Sequence, residues 1–215
     1  QGVFALFAAL TLVGLMTGTV PFTLNKSLPE LPAWVAIILT FIVMIGLAIA
    51  VERIVLRPLV NQDHIIMFMS TIGLAFVLEG LGDTIWGSEV KALDVGIPTG
   101  NFLIGEIQIQ IFDLWAAGIA AFLVVVLAVF FQYTRTGRAL RAVADDHQAA
   151  LSVGIPLKNI WIIVWSVAGL VALVAGIMWG SKSGVQFSLS LIALKALPVL
   201  ILGGFTSVPG AIVGG

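Results

Sequence analysis

The sequence predicts an all-α, polytopic transmembrane helical bundle with a broken or re-entrant glycine-rich segment near its C-terminal end. Three observations lead there. Of the 215 residues, 60% are apolar and 10% are charged, against about 45–50% and roughly 25% in soluble domains. Mean hydropathy is +1.15, so a soluble fold would lack the polar surface to cover its core. Finally, apolar stretches long enough to cross a bilayer recur along the chain, about 20 residues being needed for each crossing. We expect one transmembrane domain over 1–215, trimmed at one or both ends, because the chain opens on Gln1 and closes on the apolar "AIVGG".

Residues 2–20, 33–51, 65–82 and 111–132 each supply an apolar span of sufficient length, and 160–179 supply a fifth. Glu52-Arg53 and Arg57-Pro58 read as a helix end and an anchor at the membrane surface, and Asp113 reads as a helix-start residue before "LWAAGIAAF". The sixth stretch, "LIALKALPVLILGG" from Leu191, differs in kind. Lys195 lies inside it, while Pro198 and Gly203-Gly204 interrupt it. Proline removes a helical donor and clashes with the preceding turn. Irregular backbone at membrane depth is tolerated only where protein or a water-filled cavity shields it.

Orientation follows from the basic residues of the short connections. Arg53 and Arg57 follow the second span, and Arg135, Arg138, Arg141 and Lys158 follow the fourth, whereas the alternate connections hold Lys26, Lys91 and Lys182. Residues 52–64 and 133–159 are therefore expected in the cytoplasm, with 21–32, 83–110 and 180–190 outside. The outer 83–110 connection is acidic, with Asp83, Glu89, Asp94 and Glu106 against Lys91. Trp34, Trp86, Trp115, Trp161 and Trp179 fall near expected membrane edges, where indole prefers to lie.

Net charge is −1, so nothing in the composition points to nucleic acid. There is no cysteine, and His64 and His147 are far apart, so neither a disulfide nor a metal cluster is expected. The G-x-x-x-x-G-K-[ST] phosphate loop is absent and no nucleophile–base constellation stands out, so no catalytic residue, metal or cofactor is assigned to this chain.

"TGRALRAVADDHQAALSVGIP", at 136–156, interrupts the apolar pattern. At helical spacing Leu140, Val143, Ala144, His147 and Leu151 share one face, and Arg138, Arg141, Asp145, Gln148 and Ser152 the other. Arg141 and Asp145 are an i,i+4 pair, and Gly154-Ile155-Pro156 supplies a helix stop. Two readings fit: an amphipathic helix on the inner membrane surface, or a knob docking another subunit, for which small alanines suit close packing.

"ERIVLRPL", "MSTIGLAFVLEGL", "GRALRAVADDHQAALSVGI" and "KALPVLILGGFTSVPGAIVGG", in this order over 52–215, resemble the permease subunits of branched-chain amino acid ABC importers, the LivH-type more than its LivM-type partner. The resemblance implies a pathway shared with a second, LivM-type permease subunit, two cytoplasmic ATPase subunits that bind ATP and Mg, an extracytoplasmic substrate-binding protein, and a bacterial inner-membrane location. It also implies that 136–156 is the coupling segment, with Arg141, Asp145, Asp146, Ala149, Ala150 and Gly154 contacting the ATPase. Relatives in such a family carry urea or short amides. An intramembrane enzyme should show paired catalytic groups at membrane depth, and a purely structural subunit should not need a broken, charged sixth segment.

Glu79 and Lys195 are the ionisable residues deepest in apolar stretches. They either snorkel to the outer interface or flank the outer end of the pathway and pair when it is empty. Pro198, Gly203 and Gly204, with Pro209, Gly210, Gly214 and Gly215, either serve close helix packing or make a discontinuous segment that lines the substrate path.

Overall fold

A computed structural model describes residues 1–18, 31–59, 62–98, 100–104, 107–145 and 157–204, with 210, 212 and 214. Seven α-helices follow in chain order among these residues: α1 (Gly2–Met16), α2 (Ala33–Val51), α3 (His64–Trp86), α4 (Ile111–Tyr133), α5 (Arg135–Asp145), α6 (Leu157–Ser183) and α7 (Ile192–Gly203). Four helical segments, Ala33–Leu59, Ile65–Trp86, Ile111–Tyr133 and Ile160–Ser183, are long and apolar enough to cross a membrane.

The core is built around α1. Its 15 residues span about 22 Å at 1.5 Å each, less than the span expected over 2–20. The helix ends at Met16, where the Thr17 N–H is taken by the Val13 carbonyl. Residues 19 and 20 lie outside the described residues. Helix α1 is apolar on every side, which suits a helix that has neighbours on every side. It packs against α2, α3, α6 and the 3₁₀ turn Phe187–Leu191, and Leu6, Ala8, Ala9, Leu10 and Leu12 are essentially inaccessible. Helices in lipid gain little from hydrophobic transfer and associate through close contact of small residues. Gly176 of α6 meets that need: a Cβ there would stand 2.5 Å from the Ala5 carbonyl oxygen and 3.4 Å from the Ala9 Cβ. The Phe7 ring meets Trp86 edge-on at 5.1 Å, so this tryptophan packs on the core, while Trp34 (67% exposed) and Trp115 (53%) face outward as membrane-edge indoles do.

The periphery is different. In α4 only Phe112, in the first turn, is buried. The helix is held near its ends, by strand β2 (Ile107–Gln110) on one side and by α5 on the other, with a slighter contact to α6. Strand β2 pairs antiparallel with β1 (Asn101–Ile104), Asn101 opposite Gln110 and Leu103 opposite Gln108. This hairpin sits inside the 83–110 connection, expected only as an acidic outer link. Its cue was the alternation in "NFLIGEIQIQ", a period-two pattern.

Two of the three connections assigned to the outside, 83–110 and 180–190, meet in space. Lys91 and Val185 exchange backbone hydrogen bonds of 3.0 and 2.7 Å, tying 83–110 to the segment after α6. The end of the bundle that carries this bridge and the hairpin is the hairpin end; the opposite one, with Arg53, Arg57 and α5, is the arginine end.

Candidate functional site

At the arginine end, α2 does not simply stop. Residues Glu52–Leu56 form a π-helical turn and Arg57–Leu59 a 3₁₀ turn. The wider π turn closes with the Arg57 N–H donating to the Glu52 carbonyl, and the same two residues then join through their side chains. Arg57 Nε donates to Glu52 Oε1 at 3.2 Å, and its Nη2 to Oε1 and Oε2 at 3.1 and 3.0 Å. Glu52 is only 3% exposed. The α-helix ends here as expected, and the π turn adds what the sequence did not show: an i,i+5 pair diverges on an α-helix, whereas the wider turn brings the Glu52 carboxylate inward under its guanidinium. π turns of this sort concentrate at functional sites.

The α4–α5 elbow is equally specified. Thr134 donates through Oγ1 to the Phe130 carbonyl at 2.7 Å and accepts the Gly137 N–H at 2.9 Å. That is how a threonine cap closes one helix and opens the next. A side chain at Gly137 would place its Cβ 2.6 Å from Phe131 Cα, so only glycine fits the approach. Arg141 Nη2 donates to the Phe131 carbonyl at 3.1 Å, spanning the elbow. On α5, Leu140 is buried and Val143 half-buried while Arg138 and Arg141 are exposed, as expected of the two faces at these four positions. Of the expected ATPase contacts, Arg141 and Asp145 fall on α5. Asp146, Ala149, Ala150 and Gly154 lie outside the described residues, as do His147 and the helix stop.

At the hairpin end, the structure brings together two residues that the sequence did not connect. Lys182 Nζ of α6 donates to Asp113 Oδ1 of α4 at 2.7 Å, across 69 residues of chain. Asp113 was expected to start its helix; Gln110 holds the cap position instead, and the Asp113 carboxylate reaches across to α6. Beside the pair is a pocket of about 200 Å³ lined by Gly100, Asn101, Gln110, Phe112, Ser181 and Lys182. The Ser181 hydroxyl is buried and has no partner among the described residues.

Glu79 is half-buried on α3. It lines an open groove of about 540 Å³ with Asp83, Ser88, Gln186, Phe76 and Phe187 among its walls. Lys195 goes elsewhere: its ammonium lies 5.6 Å from the centre of the Trp179 ring, a cation–π contact. Two ion pairs exist among the described residues, Arg57–Glu52 and Lys182–Asp113, and a Glu79–Lys195 pair is not one of them. Helix α7 holds Pro198 inside its 12 residues, about 18 Å of rise against a hydrocarbon thickness of about 30 Å. It ends at Gly203, with Gly204 at φ +83°. Gly214 lies against its last turn, where an added Cβ would stand 2.9 Å from the Val199 carbonyl oxygen.

Residues 1–215 match the family described as the branched-chain amino acid transport system / permease component. The chain belongs to this family. The permease protein LivH of the high-affinity branched-chain amino acid transport system of Escherichia coli (strain K12) is 28% identical over 99% of the chain and 67% of its own length. The permease protein BraD of the corresponding system of Pseudomonas aeruginosa is 32% identical over 100% of the chain and 69% of its own. An L-arabinose ABC transporter permease protein, AraH of Azospirillum brasilense, is 32% identical over 66% of the chain and 41% of its own. No solved structure gives a significant match. The family assignment and the four apolar spans make this permease component a multi-pass membrane protein.

Proposed function

We propose that the chain forms half of the translocation pathway of an ABC importer for branched-chain or related amino acids in a bacterial inner membrane. The observation that carries this is the match to the permease family over the whole of 1–215. Supporting the amino-acid substrate are LivH and BraD, which align over essentially the full chain. A LivM-type permease supplies the other half, two ATPases bind ATP and Mg in the cytoplasm, and an extracytoplasmic binding protein delivers substrate. The arginine end faces the cytoplasm, where α5 and the residues after it to 156 dock an ATPase through Arg141, Asp145, Asp146, Ala149, Ala150 and Gly154. Glu79 and Lys195, with the Pro198, Gly203 and Gly204 break, border the outer part of the path. Support for this comes from the open groove beside Glu79 and from a helix too short to cross the bilayer alone.

The test is reconstitution of the chain with its permease, ATPase and binding-protein partners in liposomes, measuring ATP-dependent uptake of radiolabelled leucine, L-arabinose and urea. Leucine uptake that needs all components is expected. Arabinose uptake without leucine uptake would place the chain with AraH instead, and urea uptake alone would place it with the amide carriers.

A further inference from the structure

We propose that Lys182, Asp113 and the pocket beside them form an outer recognition site for the zwitterionic head of an α-amino acid, a proposal that rests on the amino-acid reading above. A zwitterion carries an ammonium and a carboxylate one carbon apart. A site for it needs one group of each sign at similar separation, with further hydrogen-bonding groups around them. The hairpin end has this arrangement between Lys182 Nζ and Asp113 Oδ1 at 2.7 Å. Glu79 and Lys195, the pair suggested by sequence, do not.

Both partners are half-exposed, at 46% for Lys182 and 50% for Asp113. An ion pair so wet is weakly held, so an incoming zwitterion can exchange with it, its carboxylate taking Lys182 and its ammonium Asp113. Ser181 lines the same pocket, and its hydroxyl is buried and without a partner among the described residues. Buried hydroxyls normally find one, and a ligand carboxylate would accept this bond. Asn101 and Gln110 stand opposite each other in the hairpin register and supply carboxamides on the other wall. A pocket of about 200 Å³ holds roughly seven waters at about 30 Å³ each, the size class of a small amino acid. The buried Phe112 in its lining offers apolar surface to the ligand's side chain.

Binding is measured on the permease–ATPase complex in nanodiscs without the binding protein, using tritiated leucine in a scintillation proximity assay. Unlabelled leucine should displace the label, while isoamylamine, isovalerate and L-arabinose at equal concentration should not. Ser181→Ala and Lys182→Met should each weaken leucine binding about fivefold to tenfold, the range expected for one charge-assisted contact at a partly exposed site. The double variant Asp113→Asn/Lys182→Met separates recognition from a mere tether. It should keep wild-type thermal stability and still bind leucine weakly. The proposal is overturned by a wild-type complex that binds no leucine at millimolar concentration, by arabinose competing as well as leucine, by wild-type binding in Ser181→Ala or Lys182→Met, or by recovery of binding in the double variant. If leucine uptake by the complete reconstituted system stands while binding fails these tests, only this site is lost; if uptake fails, the amino-acid reading goes with it.

Discussion

Glu52 shows how much one residue can hold. The residue is 3% exposed, and its carboxylate receives three hydrogen bonds from Arg57. Removing one member of a buried pair leaves the other charge uncompensated, whereas replacing both by apolar groups is often neutral. Arg57→Met, which strands the buried Glu52 carboxylate, should therefore lower stability by about 3 kcal/mol, and Glu52→Leu/Arg57→Met should return to within about 1 kcal/mol of wild type. Titration with a denaturing detergent, followed by tryptophan fluorescence, checks both. Glu79 calls for the opposite test. It is half-buried beside an open groove and has no ion-pair partner among the described residues. If it contacts substrate, Glu79→Gln should slow leucine uptake about tenfold, the value of one charged hydrogen bond, with unchanged detergent resistance. Unchanged uptake would return Glu79 to a surface role.

At the scale of elements, the elbow between α4 and α5 is where shape depends on the fewest atoms. Gly137 admits the backbone of Phe131, and Thr134 caps in both directions. Gly137→Ala must push the two helices apart, so α5 should lose its orientation while the apolar spans still insert. Co-purification of the ATPase should fall severalfold in Gly137→Ala and in Thr134→Val, the loss of a cap being worth about 1 kcal/mol. Thr134→Ser, which keeps the hydroxyl, should behave as wild type. Full ATPase recovery with Gly137→Ala would detach α5 from docking. The spans were legible because apolar length is a one-dimensional signal, and 33–51 matches α2 residue for residue. The amphipathic pattern of 136–145 was legible for the same reason. The Lys182–Asp113 contact was not, because nothing local marks a pair 69 residues apart. The π turn at Glu52 was hidden too: its signal is an extra residue in a helix, indistinguishable in sequence from ordinary helix.

Across the whole molecule, the alternation of basic residues implies an orientation that labelling can test cleanly, since the chain has no cysteine of its own. Cysteines at Glu89 and Ser183, both exposed at the hairpin end, should react with an impermeant maleimide applied to intact cells. A cysteine at Arg138, exposed on α5, should react only after the membrane is opened. Labelling of position 138 from outside would reverse the molecule and separate α5 from any cytoplasmic ATPase. The bundle agrees with the alternation in one respect: the Lys91–Val185 bridge puts two of the three connections assigned to the outside, 83–110 and 180–190, at one end.

Helix α1 has almost no side left for lipid. One wall around it is α6, which lies far downstream in the chain and fits through the notch at Gly176. During synthesis α1 therefore emerges long before that wall exists. Its uniform apolarity, which matches no particular neighbour, lets it wait in the bilayer as a free span. It becomes an interior only when α6 arrives, so among the described helices the earliest to be made depends on one of the latest for its surroundings. A ribosome stalled before α6 would leave a membrane-embedded helix whose final environment has yet to be translated.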